Sequence, residues 1–453
     1  MLENERSFEI VFFVSPAVKR MTSFLIGEGR NNIFEDIIPK EETMKHQRIL
    51  SLLGSLVVGL FMLPGTEVMA QPKEIILGAA LPITGGQSRE GGYFKKGYEM
   101  AIKEINDAGG VMVKQYGKKI PIKLITYDDK SDNTTSVQLY EKLVAEDKVN
   151  ALLGGYGTPL ITAHTVVAEK YRVPYVNGGG ATGAIYERKM KYIFGVLSSI
   201  EKLAFTLMDW TAGQQDGGNL KKPLRIALMG ENTSHGKEFR QGVDKKAKAA
   251  PDRFKVVMDE PFEFNLKDAD PILQKVKASQ ADIYLADARI ADYTTIHRRY
   301  TELRLYHQVV SYGPRGTEQA ARDALGAASD YIISCNWWHR DIPSAAAKNF
   351  RDKYEKTYNE TAEWFPALAY ESARVMAKAI EDAGTLDKAK IREALAKMDM
   401  KNSLVVGGRV WFKPNGQNDN DYVMMQNLPG GKVSLIYPKD IATAKAIVPI
   451  PQK

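Results

Sequence analysis

The feature that most constrains this chain is a rhythm. Short apolar runs rich in Val, Ile and Leu alternate with longer amphipathic segments over most of its length. "EIILGAAL" (74–81) reads as a strand covered on both faces, because an open face would impose strict alternation. "GGYFKKGYEMAIKEINDAGG" (91–110) follows with helical spacing and a stop at Gly109 and Gly110. Runs at 121–129, 149–157 and 173–180 repeat the strand pattern, with helical segments at 132–147 and 159–170 between them. A second series opens with "PLRIALMGE" (223–231) and continues through strand-like runs at 254–262, 281–288, 308–313 and 330–338. Alternation of this kind predicts an α/β protein with parallel sheets and helices on both faces, and two series predict two lobes. Ligands of such sheets collect beyond the carboxyl ends of the strands, where backbone N–H groups and helix starts gather. That directs attention to residues 82–91, 154–159, 178–183, 230–236, 287–292 and 313–317.

These loops carry no recognisable bond-making chemistry. In "NGGGATG" (177–183), Gly178, Gly180 and Gly183 have the spacing of a dinucleotide loop. The next strand-like run, however, ends in Ser198 and Ser199 rather than in the acid that would bind a ribose. "GENTSHGKEF" (230–239) resembles a phosphate-binding loop but is one residue too long, and Glu238 stands where a Ser or Thr should hold magnesium. The six His are scattered without metal-ligand spacing, and a single cysteine, Cys335, excludes thiolate clusters and an internal disulfide. No catalytic residue, metal or cofactor is expected. Anion binding without catalysis suits the loops: in "GGGATG" Ala181 and Thr182 offer backbone N–H groups, and Thr182 a hydroxyl, ahead of a helical segment. "GGYGTP" (154–159) offers the same one strand over, with Thr158 as donor and Pro159 opening the helix. The same residues equally suit tight turns and a simple helix cap at Thr182.

From Met44 the chain reads as a secretory signal peptide. Lys45 and Arg48 precede an apolar run to Leu63, a break at Pro64 and Gly65, and small side chains before cleavage after Ala70. The run is shorter than the ~20 residues that a membrane-crossing helix needs. Residues 1–43 show no apolar period, and Met44 is itself a suitable start. Export is the expectation. The net charge of +7 is interspersed along the chain, an ordinary solvated surface rather than a nucleic-acid patch.

"LGAALPITGGQSREGGYFKKGYEMAIKEINDAGGV" (77–111) resembles the opening of the branched-chain amino-acid type of periplasmic solute-binding proteins of ABC importers. "ITYDDKSD" (125–132), "LLGGYGTP" (152–159), "VPYVNGGGAT" (173–182) and "AYESARVMAKAIEDAG" (369–384) continue the correspondence in order. The resemblance implies a type I periplasmic-binding-protein fold, two parallel-sheet α/β lobes joined by three hinge crossings with a ligand cleft between them. By the same resemblance the crossings fall near 197, 337 and 418. Residues 71–197 with 338–418 then form lobe one, and 198–337 with 419–453 form lobe two. It further implies a monomer that captures a small solute by lobe closure and docks on ABC transporter permease subunits in the inner membrane. A sensory protein that signals to a membrane receptor would share this fold and pocket.

In the family the ligand carboxylate is held by the loops matching Gly180-Ala181-Thr182 and Tyr156-Gly157-Thr158, while an acid and an aromatic of the second lobe hold the ammonium. Here Arg315 stands where the acid is expected and Arg289 near the expected tyrosine. Arg89 and Glu90 replace the aromatic of the first loop. An ammonium facing guanidinium is repelled, whereas a carboxylate is matched by it. The substitutions therefore point to an organic or aromatic acid, with Tyr156, Trp337, Trp338 or Phe365 as flat apolar walls. An amino-acid ligand stays as the alternative, with Asp287 or Glu90 in the ammonium role.

Overall fold

The computed structural model describes residues 71–452; the signal-peptide segment lies outside the described residues. Two sheets organise them. In the first, β1 (Ile75–Leu81) lies between β4 (Ile122–Asp128) and β5 (Ala151–Leu153), and β6 (Tyr175–Asn177) and β7 (Ile193–Gly195) extend it, all parallel. A small hairpin of β2 (Val111–Val113) and β3 (Lys118–Ile120) sits apart from it. The second sheet repeats the plan: β8 (Leu224–Glu231) lies between β9 (Phe254–Phe262) and β10 (Ile283–Asp287), followed by β11 (Val309–Tyr312) and β12 (Ile333–Asn336). The strands Val423–Leu428 and Lys432–Tyr437 add to its far edge in antiparallel pairing. In both sheets the strand order reverses beside the first strand, so each has a crevice at the carboxyl ends of its first and third strands.

The apolar runs are buried as their composition requires. Every residue of β1 except Ile76 is buried, as is every residue of β10. Helix α1 (Ser88–Asp107) covers the first sheet and ends at Gly109 and Gly110, whose φ angles of 94° and 95° disfavour other residues. It starts three residues earlier than its spacing suggests. Gly91 is not a breaker but a contact point, since a Cβ there would lie 2.1 Å from the Pro82 carbonyl oxygen. The early start brings Arg89 and Glu90 into the first turn, at the mouth of the cleft.

The chain leaves the second sheet after β12 and runs through a long helix, Trp364–Ala383, which packs on α1 before the chain returns at Val423. The two helices meet closely at Gly97, where a Cβ would sit 2.4 Å from the carbonyl oxygen of Pro366. Cys335 is fully buried in β12, a free thiol pushed up in pKa by burial. No helix among the described residues is long and apolar enough to cross a membrane.

Candidate functional site

The carboxyl ends of the two sheets face one another across a cleft. Its mouth encloses about 430 Å³. Behind the mouth lies a narrow inner chamber of about 20 Å³. Tyr156, Arg289 and Arg315 line both spaces.

The first sheet contributes its strand-end loops. Tyr156 follows β5, and Gly157, with φ 98°, turns the chain into a helix that begins at Thr158, where Pro159 suits the first turn. Tyr156, Gly157 and Thr158 all line the inner chamber, as do Gly179 and Ala181. The loop after β6 is tied down by its own strand: Asn177 Oδ1 accepts from the N–H groups of Gly179 and Gly180, at 3.2 and 2.9 Å. The Thr182 hydroxyl donates to Glu238, which also accepts from the Gly183 N–H at 2.7 Å. Thr182 is thus engaged by a carboxylate of the protein itself. Arg89 and Glu90 line the mouth only, and Arg89 is held by Glu318 at 2.6 Å and by Glu90 at 2.8 Å.

The second sheet contributes a buried charge cluster. Glu231 ends β8, and the Thr233 side chain caps the helix Ser234–Ala249, which presents His235 in its first turn. His235 Nδ1 lies 2.6 Å from Asp287 at the end of β10. Gly313 opposite makes room, since a Cβ there would come within 2.7 Å of Asp287 Oδ1. Burial opposes the charging of His235, but Asp287 and Glu231 outweigh it and raise its pKa. Burial raises the pKa of Glu231, and Arg289, with Nε 3.5 Å from its Oε2, opposes that shift.

Glu231, His235 and Asp287 bring potential ligand atoms within 4.8 Å of one another, a grouping that spacing in the sequence conceals. Asp287 is met by His235 and Glu231 by Arg289, so each carboxylate already has a partner within the protein. A divalent ion there would face the neighbouring guanidiniums.

Arg315 stands outside this pairing and shares its carboxylate partner with another cation. It is only 7% exposed. Its carboxylate partner, Glu318, lies at 3.4 Å and is held more closely by Arg89. One of its nitrogens donates to the Tyr156 hydroxyl across the cleft at 2.8 Å. Although burial works against its charge, Tyr156, Glu318, Asp287 and Glu231 keep it protonated. Its guanidinium lies 5.3 Å from the Trp364 ring, and Trp364 and Trp337 pair at 4.9 Å to wall the chamber. Trp338 lines a separate cavity, and Phe365 stacks behind Trp364. Sequence reading missed Trp364, Glu231 and His235, although the last two lie in a strand-end loop it had singled out.

The family model for periplasmic binding proteins matches residues 74–432. The Leu/Ile/Val-binding protein homolog 8 of Brucella suis biovar 1 is 23% identical over 405 residues, which cover 87% of this chain and 98% of that protein. Among solved structures, the branched-chain amino acid transporter substrate binding protein LivJ of Streptococcus pneumoniae, in complex with isoleucine, superposes with a TM-score of 0.69 at 22% identity. The match covers 80% of this chain and 98% of that one. A solute binding protein of an ABC transporter from R. palustris, in complex with benzoate, superposes with a TM-score of 0.68 at 17% identity, covering 83% and 98% of the two chains.

Proposed function

The chain belongs to the periplasmic binding protein family, and on that premise we propose that it captures a small organic or aromatic acid in the cleft and delivers it to an ABC transporter permease. The observation that carries the choice of solute is Arg315: buried, charged, lining both mouth and chamber, and weakly matched by carboxylates of its own chain. A solute carboxylate reaching Arg315 and the Tyr156 hydroxyl gains charge-assisted hydrogen bonds in a site shielded from water. Arg289 offers a second guanidinium, and Trp337 and Trp364 offer flat apolar surface to the body of the solute. Benzoate in a relative of the same fold supports the reading.

Residues 71–197 with 338–418 act as one lobe and 198–337 with 419–453 as the other, closing about the crossings near 197, 337 and 418. The protein works as a monomer after export through residues 44–70, and no bond is made or broken. An amino-acid solute is the second reading. It is favoured by Glu231 and Asp287, two buried carboxylates on the same wall, and by isoleucine in another relative.

The substitution Arg315→Glu separates the two. Titration calorimetry with benzoate and leucine should show benzoate binding lost, since a carboxylate would then face a carboxylate; a loss of roughly 2–5 kcal/mol follows from truncating one side of a buried charge pair. Benzoate binding left intact by the substitution would contradict the proposed site.

A further inference from the structure

The segment "GENTSHGKEF", which fails as a phosphate-binding loop, supplies more than the cleft wall. Its Glu238 lies on the helix Ser234–Ala249, which flanks the second sheet, yet its carboxylate reaches across to the first. Oε2 accepts from the Thr182 hydroxyl and from the Gly183 N–H at 2.7 Å, and Oε1 accepts from the Glu201 N–H of its own side at 3.0 Å. Thr182 is 1% exposed and Glu238 is half-buried, so the contact is partly shielded from water. No cation lies within salt-bridge distance of Glu238 among the described residues. Its hydrogen-bond donors are neutral, and His235 favours its charged form without forming an ion pair, so the contact is weaker than a buried salt bridge. A permanent structural tie is better served by a charged partner. A contact that must form and break with each cycle is better served by neutral donors.

We propose that Glu238 is the latch of the closed cleft: it holds the loop of residues 179–183 to the second lobe when the lobes meet and returns to water when they part. The proposal rests on the lobe-closing reading of function but not on the identity of the solute. It also assigns Thr182 a role in closure, in place of direct contact with a ligand. Gly179 and Ala181 of the same loop line the inner chamber, so what fixes the loop also shapes the space behind it. Gln417 fixes it too, donating to the Ala181 carbonyl at 2.9 Å.

The test is a spin-label distance measurement on the full chain without added solute. Labels are placed through Lys170→Cys and Lys248→Cys, whose native side chains are 62% and 77% exposed; Cys335 is buried and stays unlabelled. Glu238→Ala should lower the ratio of short to long distances about tenfold, the size expected when charge-assisted hydrogen bonds are lost. Thr182→Ala should lower it in the same direction. The double variant should go little further than Glu238→Ala, because the two residues share one contact. An unchanged distribution in both single variants, or additive effects in the double variant, would overturn the latch. Failure of the solute reading appears elsewhere, as absent binding in the unmodified protein, and leaves this distance test intact.

Discussion

Arg315 and His235 show how single residues set the character of the cleft. Both are buried, and neighbours on other elements favour their charged forms. For His235 the sign of the effect on stability can be worked out. Its folded pKa is raised above the unfolded value of about 6.5 by Asp287 and Glu231, with Arg315 and burial opposing. The folded form therefore binds the proton more tightly. The resulting stabilisation is complete below about pH 6.5 and fades as pH rises through the folded pKa. His235→Gln should accordingly cost most stability at about pH 5.5 and least at about pH 8.5, read from urea midpoints across that range. A cost that does not vary with pH would mean that His235 acts by packing alone. At this scale little was legible beforehand. Arg289 and Arg315 stood out because guanidinium is unusual where a carboxylate binds ammonium. Asp287 stood out only as an alternative ammonium partner, and Glu231 and His235 not at all, because the three meet only once β8 and β10 lie side by side.

Strands, helices and loops were the most readable level. A run such as "EIILGAAL" has few alternatives to a buried strand, and the loops that follow such strands had to border any site. One boundary moved: the first helix starts at Ser88 rather than at Gly91. Gly91 sits inside α1, where it lets the helix approach the Pro82 carbonyl, and the helix start moved accordingly. Gly97 plays the same part between α1 and the helix Trp364–Ala383, and it supports a direct prediction. Gly97→Ala places a methyl group 2.4 Å from the Pro366 carbonyl oxygen, so the helices must separate. Although Ala favours helix by itself, overpacking should win here and lower stability by about 1–3 kcal/mol, seen as a lower urea midpoint with an unchanged m-value. A rise in the midpoint would show that this interface has slack.

On the scale of the whole molecule, function depends on two similar sheets presenting their carboxyl ends to one shared space. The rhythm of the sequence announced the sheets, but their facing was not written in any local pattern. Contacts such as Arg315 with Tyr156 and Glu238 with Thr182 join residues far apart in the chain. The central claim is that this shared space encloses a carboxylate. Its most direct test is the melting temperature of the protein against a panel of benzoate, aliphatic acids lacking an amino group, and branched-chain amino acids. A solute at about 100 times its Kd adds ~2.7 kcal/mol to stability, enough to raise Tm measurably. The account predicts a rise with one or more acids that have no amino group. A rise with leucine-like amino acids alone would contradict it and return Glu231 and Asp287 to the role of ammonium site.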